Sequence, residues 1–239
     1  MNLLIYKSVD VLNRALADHV IKIANQAIEE KGSFSFVLTG GNSPKELYRL
    51  LSTEYKDKID WNKVYFFFGD ERNVSPDSND YNGGMAKKNL FDNLNTASNH
   101  IFYVDTTLSP EAAAVSYKNT IDQYFTGKDI IFDLILLGMG DDGHTASIFP
   151  NTPLVNDKTV GVSSVFVEKL DAYRISFTAP LINEAENIAV LVFGEGKASA
   201  LKHVTTDKDK DPDIFPAQLI SPTIGNLTWF VDEEAAALL

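Results

Sequence analysis

The run Val64–Phe68 reads VYFFF and stops abruptly at Gly69-Asp70-Glu71-Arg72. Five residues that are nearly all aromatic or β-branched, with no polar alternation, describe a strand buried on both faces. Such strands belong to a parallel sheet covered by helices. Phe34–Leu38 before Thr39-Gly40-Gly41-Asn42, and Asp133–Leu137 before Gly138-Met139-Gly140, also read as strands. Leu3–Tyr6, Ile101–Val104, Arg174–Thr178, Ile188–Phe193 and Trp229–Val231 read as further strands.

Helical patterns separate these runs. From Val9 to Lys31, apolar residues recur at Val11, Leu12, Leu16, Val20, Ile23, Ala24, Ala27 and Ile28, in steps of three and four, and Gly32 closes the pattern as a C-cap. A second helix is expected to start at Ser43, with Pro44 in its first turn and Glu46 completing an S-x-x-E capping box. Others are expected over Asn82–Leu94, residues 110–125, Ala179–Asn187 and Gly196–Val204. Alternation of strand and helix places the chain in the α/β class with a mostly parallel sheet. Neither a repeat nor a linker interrupts it, so one domain over residues 1–239 is expected. The polar run TTDKDKDPD at 205–213 reads as a solvated loop.

Composition narrows the function classes. A formal charge of -12 argues against nucleic acid, whose phosphates require clustered Lys and Arg. An anionic small molecule remains compatible only where a local group of cations opposes the global field. The chain has no cysteine, which removes disulfides, thiolate metal sites and thiol nucleophiles together. Its first residues, MNLLIYKSVDVLNRAL, lack the features of a secretory leader. No apolar run approaches the roughly 20 residues that span a bilayer. A soluble, cytoplasmic protein with no membrane partner is expected.

Gly138, Gly140 and Gly143 satisfy the dinucleotide spacing G-x-G-x-x-G directly after a strand. The context contradicts that reading. Asp141 and Asp142 sit where a pyrophosphate would lie, and Thr145–Phe149 runs into Pro150 and Pro153 instead of opening a helix. An acidic ribose ligand about 20 residues on is also required, yet Ser163 and Ser164 stand there. The stretch instead offers a carboxylate, Asp142, separated from His144 by one glycine at a strand end. That arrangement suits a histidine that accepts a proton from water. His19, His100 and His203 lack such surroundings.

Two further strand ends carry polar chemistry. The backbone N–H groups of Gly41, Asn42 and Ser43 precede a helix and are placed to converge on an anion. In GDER, Asp70 and Glu71 are candidate acids or bases, and Arg72 suits a carboxylate or phosphate oxygen. The three loops are expected side by side along one sheet edge.

Taken in order, TGGNSPKELY, GDERNV and LGMGDDGHTASIFP resemble the 6-phosphogluconolactonase family. The resemblance continues through YRISFT, GEGKASAL and FPAQLISPTIGNLTWFVDEEAA, and so covers nearly the whole chain. It implies a Rossmann-like open sheet with helices on both faces, related to glucosamine-6-phosphate deaminase and ribose-5-phosphate isomerase. The implied activity is hydrolysis of 6-phospho-D-glucono-1,5-lactone to 6-phospho-D-gluconate, the second step of the oxidative pentose phosphate pathway, with no cofactor and no metal. By position, His144 activates water, Asp142 orients it, and Asp70 serves as a chemical or positioning acid. Gly40, Gly41, Asn42, Ser43, Arg72, Asn82, Arg174 and Lys197 form the substrate and phosphate environment. The implied partner is a small sugar-phosphate lactone, and the protein is expected to be a monomer or a weak homo-oligomer.

One departure falls after GDER. The family often has Ser-Asn before the next helix, where this chain has Tyr81-Asn82-Gly83-Gly84. The sister deaminases resemble M-D-E-Y at the second loop and carry a glutamate five residues after the histidine. Here those positions hold Gly69-Asp70-Glu71-Arg72 and Phe149. Both differences point toward a lactonase. A non-catalytic sugar-phosphate sensor on the same fold would have no need of His144 and Asp142.

Overall fold

Phe34, Phe36 and Leu38 face one side of their strand and Val37 the other, and all four are fully buried. That pattern is repeated through a computed structural model that describes residues 1–94 and 96–239. Six strands form one sheet: β1 (Asn2–Tyr6), β2 (Phe34–Leu38), β3 (Val64–Phe68), β5 (Leu134–Gly138), β8 (Asn187–Val192) and β9 (Asn226–Asp232). Their order is β1-β9-β8-β5-β2-β3, and every neighbouring pair is parallel. Three others, β4 (Asp70–Arg72), β6 (Val162–Val167) and β7 (Ala172–Phe177), form a separate antiparallel sheet in the order β4-β7-β6.

Helices cover both faces. On one side lie α1 (Val9–Lys31), α2 (Lys45–Ser52) and α3 (Asn82–Asn89), which share a core with Phe36, Phe66 and Leu136. On the other lie α4 (Pro110–Tyr124), α5 (Ala179–Asn183) and α6 (Ala198–Thr206), packed with Phe67, Leu137 and Trp229. Helix α4 also packs on β6 and β7, so its small residues Ala113 and Ala114 lie between the two sheets. The α/β class, the mostly parallel open sheet and the two helical layers agree with expectation. No helix is long and apolar enough to cross a membrane among the described residues.

Several local expectations change. Helix α1 starts and ends as read, with Ser8 accepting from the Val11 N–H and Gly32 in the left-handed region at φ 79°. Helix α2 begins at Lys45 and its N-terminus has no side-chain cap. The expected capping box does not form, because Asn42 to Lys45 is a turn closed by the Lys45 N–H on the Asn42 carbonyl, and Glu46 pairs with Arg49 instead. Ile101 makes only an isolated bridge to Phe66 rather than opening a strand. The helix expected over Asn82–Leu94 ends at Asn89, and a 3-10 turn at Phe91–Asn93 follows. The run Arg174–Thr178 is a strand, but of the antiparallel sheet.

The strand order fixes where a ligand can sit. After β2 the next strand of the sheet, β3, lies on one side; after β5 the next, β8, lies on the other. Adjacent β2 and β5 therefore form the switch point of the sheet, where loops diverge and leave a crevice beyond the carboxyl ends. The loops Thr39–Ser43 and Met139–His144 leave from these two strands.

Candidate active site

Each loop is held at its root before it turns toward the crevice. Beyond β2, the Thr39 N–H donates to the Tyr48 hydroxyl at 3.0 Å, and that hydroxyl donates to the Thr39 carbonyl at 2.7 Å. At the end of β3, Tyr117 repeats the device on Phe68, accepting its N–H at 2.7 Å and donating to its carbonyl at 3.2 Å. Where the ladder stops, a buried backbone group needs another partner, and a tyrosine reaching out from a core helix supplies both halves. Burial raises both phenols above their ordinary range.

The loop after β5 is folded on itself. Thr145 Oγ1 donates to the Gly138 carbonyl at 2.8 Å, and the Gly140 N–H to the His144 carbonyl at 2.8 Å. Gly143 adopts φ 74°, and the face it leaves bare packs against Phe215. Gly140 is needed for a different reason: a methyl group there would overlap both the His144 ring and the Asp142 carboxylate. Ala146 at φ 47° and Asn151 at φ 58° are non-glycine residues in the left-handed region on either side of Phe149. Such strain concentrates at sites where the surroundings impose it.

The tight loop brings the Asp142 carboxylate to His144, with Oδ1 at 2.5 Å from Nδ1. The other carboxylate oxygen accepts from Lys169 Nζ at 3.0 Å. Burial works against the ionised carboxyl, yet the bond and charge of His144, with the Lys169 bond, hold Asp142 well below the usual carboxylate range. An anionic Asp142 fixes the tautomer: Nδ1 carries the hydrogen, and Nε2 is left as the basic nitrogen. The imidazole stacks on Phe149, with centroids 4.0 Å apart and planes 20° from parallel.

The strand β4 supplies the second group. Asp70 Oδ2 accepts from Ser147 Oγ at 2.6 Å, which joins the β4 loop to the histidine loop. Arg72 lies directly opposite Arg174 in the β4–β7 ladder. Burial and the neighbouring Arg72 charge lower the Arg174 guanidinium from its usual value, against the pull of Asp70, Glu71 and Asp80. Glu71, next along β4, points the other way and is 1% exposed. Its carboxyl oxygens accept the N–H groups of Arg72, Asn82 and Gly83 at 2.8, 2.8 and 2.9 Å, which caps α3.

Gly40, Gly41, Asn42, Ser43, Asp70, Arg72, Asp142, His144, Arg174 and Lys197 all line one cleft of about 430 Å³. Asn82 does not line it. It is buried behind Gly40 and donates Nδ2 to the Asp70 carbonyl at 3.0 Å. Ser147, Phe149 and Lys169 line the cleft as well, though sequence reasoning assigned none of them to it. For Lys169 no sequence signal exists, since it sits on a turn 25 residues after the histidine that only the β6–β7 hairpin aims inward. Tyr48 had one: an aromatic with a polar tip on the buried face of α2, beside Leu47 and Leu51.

Known proteins resemble the chain over nearly its whole length. Residues 7–229 match the family described as glucosamine-6-phosphate isomerases/6-phosphogluconolactonase. A 6-phosphogluconolactonase of Synechocystis sp. is 39% identical, over 98% of this chain and 96% of its own length. Among solved structures, a 6-phosphogluconolactonase from Thermotoga maritima is 28% identical with a TM-score of 0.84, covering 97% of this chain and 99% of its own. Another from Trypanosoma cruzi is 25% identical with a TM-score of 0.85, covering 100% and 96%. With its sheet, its loops and nearly its whole length matched, the chain belongs to the glucosamine-6-phosphate isomerase/6-phosphogluconolactonase family.

Proposed function

We propose that the cleft hydrolyses 6-phospho-D-glucono-1,5-lactone to 6-phospho-D-gluconate, the second step of the oxidative pentose phosphate pathway, through water activated by His144. The observation that carries this reading is the Asp142–His144 contact at 2.5 Å in a cleft that also holds Arg72, Arg174 and Lys197. The cations answer the sequence-level requirement for a local positive field in a chain of charge -12. They are suited to the phosphate, with the N–H groups of Gly41 to Ser43 nearby.

In the reaction, His144 Nε2 takes a proton from water as its oxygen bonds to the lactone carbonyl carbon. The resulting tetrahedral oxyanion collapses, the bond to the ring oxygen breaks, and the proton held by His144 passes to that oxygen as it leaves. Asp142 stabilises the transient imidazolium and keeps its orientation. No acyl-enzyme is required. Ser147 is buried and its hydroxyl donates to the Asp70 carboxylate, a weak base, rather than to His144.

The glutamate that the resemblance gives a deaminase five residues after the histidine is Phe149 here, and its ring covers the face of His144. That favours lactone hydrolysis over amino-sugar ring opening. The test is a pH-stat assay with freshly prepared lactone, corrected for spontaneous hydrolysis. Acid release well above the uncatalysed rate is expected, with no ammonia from glucosamine 6-phosphate. Ammonia release, or binding of the lactone without turnover, would overturn the reading.

A further inference from the structure

Asp142 sits on a loop of glycines, whose backbone gives its carboxylate one long bond, from the His144 N–H to Oδ1 at 3.2 Å. Two side chains fix it from outside. His144 takes Oδ1, and Lys169 takes Oδ2. The lysine comes from a distant element, the 3-10 turn Glu168–Leu170 that joins β6 to β7, and the turn ends on Asp171 in the left-handed region. Its side chain is 64% exposed, whereas that of Asp142 is only 21% exposed. The ion pair thus joins a solvated cation to a largely enclosed anion.

We propose that Lys169 is a positioning residue for the Asp142–His144 pair: it holds the outer carboxylate oxygen so that the inner one meets the imidazole, and it takes up part of the charge that His144 would otherwise feel. This rests on the reading of His144 as the proton acceptor. The bonds of His144 and Lys169 are the interactions that outweigh burial at Asp142, and Asp142 in turn raises the Lys169 ammonium above its ordinary value. Other charges face the pair. Asp141 belongs to the same loop and Glu168 to the same turn. Asp70 and Arg72 approach from β4, Arg174 from β7 and Lys197 from the turn before α6. Among the described residues, only Lys169 and His144 form an ion pair with Asp142.

The sign of the effect follows. Without the ammonium, the whole Asp142 charge acts on His144 and favours its protonated, inactive form. Lys169→Met should therefore move the acidic limb of the kcat/KM profile for the lactone to higher pH, by about half a unit, the range of a largely exposed ion pair. Turnover near pH 6 should fall by about two- to three-fold, the most that half a unit allows, with KM changed less than about two-fold. Lys169→Arg should restore the limb, and high salt should bring the parent's limb toward that of Lys169→Met.

The experiment is a set of pH–rate profiles on the full-length parent, Lys169→Met and Lys169→Arg at low and high salt, with an NMR titration of the His144 ring in each. An upward move of the limb and of the ring titration in Lys169→Met, reversed in Lys169→Arg, supports the proposal. An unmoved limb and ring titration overturns it, whether turnover is unchanged, uniformly reduced or accompanied by a higher KM. If the parent does not turn over the lactone, the functional reading fails, and the ring titration alone decides the role of Lys169.

Discussion

Arg72 and Arg174 face each other across the β4–β7 ladder, cation directly opposite cation. Like charges so placed destabilise a sheet, and the two ends of the ladder provide only partial relief through backbone carbonyls. Arg72 donates to the Asp80 carbonyl at 2.7 Å and Arg174 to that of Tyr173 at 3.2 Å. A dianionic phosphate between them would remove the repulsion and gain charge-assisted bonds.

Arg174→Met, which keeps the apolar stem, should leave the unliganded protein as stable as the parent or slightly more so. KM for the lactone should rise by about 10- to 100-fold, the worth of one hydrogen bond between charged groups. Steady-state kinetics and thermal melts measure the two effects. A melting temperature raised by the product in the parent, less so at high salt, should be largely lost in the variant.

Replacing His144 with alanine should reduce kcat by about 10²- to 10⁴-fold, the usual contribution of a general base. Product binding, followed by calorimetry, should persist. Asp142→Asn should produce a loss of similar order while leaving the fold intact, because an amide no longer dictates which ring nitrogen carries the hydrogen. Near-parental turnover in either variant would contradict the assigned roles.

Gly140 has no tolerance for a side chain although its backbone angle is ordinary, because the His144 ring and the Asp142 carboxylate occupy the space. Gly140→Ala should displace the pair and lower kcat by about 100-fold, as expected for a catalytic group moved by about 1 Å. Circular dichroism should show an unchanged fold.

Glu71 provides a pH signature outside the cleft. Burial pushes its carboxyl up to about 8, against the three N–H groups that favour the charged form. The folded state therefore holds a proton that the unfolded chain releases near the ordinary carboxylate value. Stability should fall as pH rises between about 4.5 and 8. Glu71→Gln should flatten that slope, at the cost of one N–H left facing the amide nitrogen. Melting temperatures from pH 5 to 9 for both proteins test the difference.

The legibility of this molecule follows from where its information is stored. Helix α1 was readable because its apolar period and Gly32 are local signals, while the Ser8 cap emerged only in the structure. Strands β2, β3 and β5 were readable because parallel strands buried on both sides are continuously apolar. By contrast, β4 is three charged residues, Asp70 to Arg72, and is a strand only because β7 offers it a ladder. The capping box at Ser43 matched a motif, but the turn from Asn42 to Lys45 claimed those residues first.

By itself the sequence determined the α/β class, the three loops at successive strand ends, and the pairing of Asp142 with His144, which lie two residues apart. Tertiary structure decided what faces them. It set Arg72 against Arg174, put Ser147 on Asp70, drew Lys169 to Asp142 and moved Asn82 behind Gly40. These contacts join residues from 27 to 102 positions apart. No local propensity encodes them, because they depend on the direction in which two sheets and their connecting turns point the side chains.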